Sequence, residues 1–266
     1  MLRVRILVLV LVVGALWPAS GWAAQTAKLK VSFTPNNLGG STTIHFAVDI
    51  GTTTGRTPSP VTDINIGMPN GLGLANTDLG EETCDAAVLL EFGASGCPAN
   101  SRLGIGTALV ELPIGPEPVQ NRANVTIFMG TPINHHTTML FYAEGLTPVA
   151  AQLVFISQLL PGNGIFGVSL NTSVPLTPTV PEAADASVVR LETTLGPSHL
   201  TYYDHVHGTL RAYQPTGITI PERCPRGGFP FDATFTFQDA TTASAKSNVA
   251  CPARRSTDRR VGRRRR

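Results

Sequence analysis

From Thr42 to Ile50 the chain alternates. Ile44, Phe46, Val48 and Ile50 fall on one face, while Thr43, His45 and Asp49 fall on the other. Residues 229–237 repeat the pattern more strictly, with Phe229, Phe231, Phe235 and Phe237 set against Pro230, Asp232, Thr234 and Thr236. A period of two marks a strand with one buried face, because successive side chains of a strand point to opposite sides. The segments 28–34, 61–68, 102–112, 123–130, 137–144, 151–159, 164–172, 187–195, 205–213 and 241–250 read the same way. Clusters such as Pro69-Asn70-Gly71 and Pro161-Gly162-Asn163-Gly164 separate them as turns. Leu153–Ile156 is apolar on both faces, as a central strand would be.

One stretch has helical character. Glu81, Glu82 and Asp85 open the segment Glu81–Phe92, where acids favour the positive end of a helix. Ala86 to Leu90 follow as its apolar body, and Gly93 supplies a stop. The pattern therefore predicts an all-β, predominantly antiparallel β-sandwich of jelly-roll or immunoglobulin-like type, with one short helix near 82–92. Strands resume directly after Pro175–Pro181, so that stretch reads as a crossover, and residues 24–252 read as one domain.

The first residues do not fit the strand pattern. Arg3 and Arg5 precede an apolar run from Ile6 to Leu16, and small residues lead to Ala24. This is the layout of a secretory signal peptide over residues 1–23, with cleavage expected after Ala23. The run is shorter than the roughly 20 residues of a spanning helix, and no second such run follows. A secreted or cell-surface location, with no transmembrane segment in the mature chain, is the expectation. Cys84, Cys97, Cys224 and Cys251 suit that compartment and allow three pairings. Nearest-neighbour pairing closes two local loops, each worth about 3–3.6 kcal/mol in the chain-entropy picture. No Cys-x-x-Cys occurs, which argues against a structural metal.

Charge sharpens this picture. Only 14% of residues are charged and the net charge is +2, yet the charge is sorted by position. Residues 24–253 carry −7, and Arg254, Arg255, Arg259, Arg260, Arg263, Arg264, Arg265 and Arg266 give the last thirteen residues +7. Residues 253–266 read as a disordered tail able to hold anionic cell-envelope polymers by counterion release, without sequence-specific nucleic-acid binding.

Two stretches carry a resemblance. The first runs Gly96-Cys-Pro-Ala-Asn-Ser-Arg-Leu-Gly-Ile-Gly-Thr-Ala108. The second runs Cys224-Pro-Arg-Gly-Gly-Phe-Pro-Phe-Asp-Ala-Thr-Phe-Thr-Phe-Gln-Asp-Ala-Thr-Thr-Ala243 and closes with Cys251-Pro252. Together they resemble uncharacterised secreted β-rich proteins of high-GC Gram-positive, actinobacterial bacteria. Those proteins have a CPxxSxxGxGxA segment and a C-terminal CPxGGxPFxAxFxFxDxTTA hairpin with a CP ending. The resemblance implies export, paired cysteines and a β-sandwich, and it carries no activity. Arg outnumbers Lys 17 to 3, in keeping with GC-rich coding.

Candidate chemistry is sparse. Tyr202, Tyr203, His205 and His207 form the densest polar-aromatic cluster. Two histidines two apart on a strand share a face and can share a metal, with His45, His135 or His136 as a third ligand. Val206, Leu210 and Ala212 would then form the buried face. A carbohydrate platform is the other use of these tyrosines, since both tryptophans, Trp17 and Trp22, lie in the signal. Asn76, Asp78, Glu81, Glu82 and Asp85 could gather calcium but lack EF-hand spacing. Asp49, Asp63, Asp204 and Asp232 form no evident acid–base pair. GxSxG, HExxH and SxxK signatures are absent. The expectation is a non-enzymatic structural or adhesive envelope protein without cofactor. A carbohydrate- or metal-binding module on the Tyr202–His207 face is the first alternative, and a hydrolase without a recognisable motif the second.

Overall fold

The alternating segments become long strands in the computed structural model, which describes residues 24–73, 78–178 and 184–252. They are β1 (Gln25–Thr34), β2 (Ser41–Thr52), β3 (Val61–Pro69), β4 (Arg102–Leu112), β5 (Val119–Ile133), β6 (His136–Thr147) and β7 (Gln152–Pro161). Then come β8 (Phe166–Ser173), β9 (Ser187–Leu195), β10 (Tyr202–Val206), β11 (Thr209–Tyr213), β12 (Ile218–Thr219), β13 (Phe229–Phe237) and β14 (Thr242–Val249). The signal, its cleavage point and the Arg-rich tail lie outside the described residues.

One sheet takes nearly all of them, in the order β1-β2-β9-β4-β5-β6-β7-β8-β3-β13-β14, with β12 added beside β2. Every neighbouring pair is antiparallel. The edge strands β1 and β14 return against each other, so the sheet curls almost into a barrel. The predominantly antiparallel all-β class is as expected, but the architecture differs from two stacked sheets. Alternation shows that one face of each strand is buried. It cannot show whether that face meets a second sheet or the far side of its own.

The path from β1 to β14 has eleven strands. Directions alternate along it, so the first and last run the same way and an antiparallel ladder cannot join them. Side chains clasp this seam. Gln25 Nε2 donates to Asp239 Oδ2 at 3.2 Å, the Val31 amide to Ser247 Oγ at 3.0 Å, and Asn36 Nδ2 to the Ala250 carbonyl at 2.9 Å. Desolvation pushes the Asp239 carboxyl upward, but hydrogen bonds from the Thr241 hydroxyl and amide and from Gln25 outweigh it and hold the group below its ordinary range.

Two devices shape the ring. Phe33, Phe229, Phe231 and Phe46 meet edge to face, with centroids 5.5–5.9 Å apart, and fill the interior where β1 and β2 lie over β13. At the β4–β9 corner the backbones approach so closely that a Cβ on Gly104 would lie 1.9 Å from the Thr194 carbonyl oxygen, and one on Gly106 would lie 2.3 Å from that of Glu192. Only glycine fits such a bend.

The outer wall is polar: Lys28 and Lys30 on β1, Asp49 on β2, and Arg190 and Glu192 on β9 are all exposed. Arg190 Nε pairs with Asp49 at 2.8 Å. A membrane barrel turns apolar residues outward, so β1, β2 and β9 have the inverse polarity, while Ile105 on β4 and Ile156 on β7 are exposed apolar residues. No helix among the described residues is long and apolar enough to cross a membrane.

The one α-helix among the described residues, α1 (Ala86–Phe92), is shorter than expected. Asp85 caps it by accepting from the Ala87 amide at 2.8 Å, and Gly93 ends it. Cys84 precedes the helix because its amide bonds the Met129 carbonyl at 2.8 Å, tying that backbone to the end of β5. Leu89 packs with Phe128, Leu140 and Tyr142 on the outside of β5 and β6, beside Val154 of β7. The Cys84–Cys97 disulfide fastens this cover, and Cys224–Cys251 joins the approach to β13 to the end of β14. Nearest-neighbour pairing is thus what the fold uses. It is consistent with an oxidising, extracellular compartment.

Candidate functional site

The inward faces of the strands do not fill the barrel. Small residues stand at inward positions in one half, namely Ala108, Ala123, Ala143 and Gly145 on β4, β5 and β6, and a cavity of about 350 Å³ remains there. The other half carries larger side chains, including Ile66, Met68, Met139 and Leu159, and keeps only about 90 Å³. The two chambers adjoin at Val48, Ile64, Phe155, Leu191 and Phe235, which line both. Their combined size falls within the range of small-molecule sites.

The outer chamber reaches the surface. Val149, Ala150 and Ala151 of the β6–β7 loop and Pro175, Leu176 and Pro178 after β8 line it and form its mouth. Leu176 is 42% exposed there, with Ile114 in the β4–β5 loop and Leu146 near the end of β6 also exposed at the same end. Asn121 holds the mouth loop in place. Its Nδ2 donates to the Val149 carbonyl at 2.8 Å, and its Oδ1 accepts from the Val149 amide at 3.4 Å.

No described residue lining either chamber carries a charge. Four polar side chains line them among the described residues: Asn121, Thr172, Thr177 and Thr193. Thr172 shares a hydrogen bond with Ser157 across β7 and β8, and Thr177 bonds the Pro175 carbonyl at 3.4 Å. An interior of this chemistry excludes ions and favours hydrocarbon, since an unpaired charge there would lose its hydration without return.

The opposite end is plugged. β12 pairs with Ser41 and Thr42, Thr219 bridges to Gly73, and Leu72 and Ile218 close the inner chamber. Behind them Tyr202 is 0% exposed. Its hydroxyl donates to the Arg102 carbonyl and accepts from the Gly80 amide at 2.9 Å. Burial, with Asp78, Glu81 and Glu82 nearby, pushes its pKa up to about 12. Tyr213 packs edge-on at 5.8 Å and donates to Glu81 Oε2 at 3.0 Å, and desolvation with that bond raises it likewise.

These placements change the cluster singled out in sequence. Tyr202 belongs to the plug and offers no ligand surface. Tyr203, 45% exposed, is held through its backbone by the Asn100 side chain at 2.8 Å. The segment 205–213 is a hairpin: His205 lies on β10, while His207 sits in the turn at φ 50° and is no longer one strand step from it. The buried face expected for Leu210 and Ala212 is not formed, because β10 and β11 make a separate two-stranded sheet that packs into the barrel through Tyr202 and leaves its turn end exposed. Leu210 is 56% exposed. His135 occupies the β5–β6 turn, His136 begins β6, and His45 faces outward from β2. Among the described residues no three metal-ligating side chains gather. Of the acidic cluster, Asp78 accepts from the Thr216 amide and Glu81 from Tyr213, while Asn76 lies outside the described residues. Neither a protein-family model, a curated protein nor a solved structure matches this chain.

The lumen was missed in sequence because each inward residue is unremarkable alone. The signal was the run of alanine and glycine at successive inward positions of β4–β6 and at Ala150 and Ala151, where a filled core would place leucine or phenylalanine.

Proposed function

We propose that the protein is an exported binding protein that carries an uncharged, largely apolar small molecule inside its barrel. The observation carrying this reading is the charge-free, two-chamber interior that opens at the 148–151 and 174–178 rim. The ligand-binding alternative predicts a concave site and the structural one a flat surface. The concave site is apolar, however, and lies in the lumen and not on the Tyr202–His207 hairpin. Energetics support an occupant. At about 24 cal/mol per Å³, the inner 90 Å³ alone costs roughly 2 kcal/mol when empty. Export through the signal and attachment of the Arg-rich tail to anionic envelope polymers belong to the same proposal, as the means of holding a carrier at the cell surface.

The test is a neutral apolar dye. Nile red should bind with one site and brighten on entry. Ala143→Phe, which places a ring in the outer chamber, should weaken binding at least tenfold while the folded protein persists by circular dichroism. Thr126→Phe on the outer wall should leave it intact. Equal binding by the Ala143→Phe variant would remove the lumen as the site.

A further inference from the structure

Among the four polar side chains that line the chambers, three are satisfied by the protein itself. Asn121 bonds Val149, Thr172 bonds Ser157 and Thr177 bonds Pro175. Thr193 is the exception. It stands on β9 at the inner chamber, is 7% exposed, and its hydroxyl has no hydrogen-bond partner among the described residues. Its methyl group lies toward Gly106, where an added Cβ would come within 2.7 Å of it. A valine would fill the same shape, so packing gives no reason for the oxygen. A hydroxyl on the wall of an apolar chamber with no protein partner is open to a guest as donor or acceptor.

Building on the lumen-binding reading, we infer that Thr193 is the polar anchor of the ligand. The ligand is a chain or ring hydrocarbon bearing one neutral oxygen function, an alcohol, ketone or ester, at its inner end. The hydroxyl of Thr193 can donate to a carbonyl or accept from an alcohol, so it accommodates each of these. It cannot compensate a carboxylate or an ammonium, because one neutral dipole does not replace the hydration of an ion. The oxygen-bearing end therefore enters first through the mouth, and the hydrocarbon fills the wider outer chamber behind it.

The experiment compares decane, 1-decanol, 2-decanone and decanoate as displacers of Nile red from the full mature chain at pH 8, in wild type, Thr193→Val and Thr193→Ser. In Thr193→Val the ratio of decanol to decane affinity should fall about three- to tenfold, with decane itself unchanged. The decanone ratio should fall in parallel. Thr193→Ser should retain both ratios. Decanoate should bind at least tenfold more weakly than decanol to the wild type. An unchanged decanol-to-decane ratio in Thr193→Val, or decanoate competing as well as decanol, would overturn the anchor while leaving lumen binding in place. Failure of all four compounds and of the dye itself to bind would remove the lumen reading, and the anchor with it.

Discussion

The two ends of the barrel are made of the same sheet and behave as opposites. At the plugged end, Tyr202, Ile218 and Ile220 are fully buried, and the Tyr202, Tyr213, Asp78 and Glu81 side chains all have partners. At the mouth, alanines and glycines leave room, leucine and isoleucine face solvent, and a single asparagine holds the loop. The difference teaches that stability and binding are stored in separate halves. The tightly satisfied half fixes the shape of the ring, and the loosely filled half is free to take a guest.

The largest effect should come from removing the plug. Tyr202→Ala deletes a fully buried ring and two hydrogen bonds, and should cost about 3–5 kcal/mol in denaturant unfolding. Leu176→Ala at the mouth should stay within about 0.5 kcal/mol. Similar losses at the two positions would erase the contrast.

Alkali tests the same end more gently. The folded state holds the Tyr202 proton up to about pH 12, whereas an unfolded chain releases it near 10. A raised pKa stabilises the fold below the unfolded value, and that contribution is lost as pH climbs through the folded one. Unfolding free energy should therefore fall by up to ~3 kcal/mol between about pH 10 and 12. Tyr213 adds to the decline in the same direction. Tyr202→Phe should be weaker at neutral pH and should shrink the decline, leaving the part that Tyr213 contributes. Parallel curves for variant and wild type would place the alkaline sensitivity elsewhere.

The smallest change sharpens the mouth. Asn121→Ala releases both bonds to Val149 and should cost about 1 kcal/mol of stability. Its clearer signature is kinetic: Nile red should leave roughly several-fold faster in stopped flow, with the entry rate little altered. A dissociation rate equal to wild type would mean that this loop does not guard the lumen.

Much of the fold could be read in sequence, and the reason is local. Strands such as β4, β9 and β13 follow directly from alternation, and the disulfides from nearest spacing. The helix began later than its acids suggested because Cys84 was drawn into a backbone bond with β5, a tertiary contact that propensity does not contain. The hairpin at His207 escaped notice because a histidine took the left-handed turn position before Gly208, where asparagine or aspartate is the common sign. The site was the least legible part. Thr193 looks like any strand threonine until its neighbours across the lumen are known, and the hollowness of the barrel depends on side chains from strands far apart in the chain.

The seam between β1 and β14 sets an order of events. Its three clasps join residues 214 to 216 positions apart, so none can form until nearly the whole described chain is in place. Through that interval the edge of β1 is bare, and bare edges invite pairing with other chains. The protein's three lysines, Lys28, Lys30 and Lys246, all lie on the two seam strands and face outward. Charged lysines on an edge strand disfavour its pairing with a second copy of the chain, so the two strands that meet last are also the two least suited to meet a stranger.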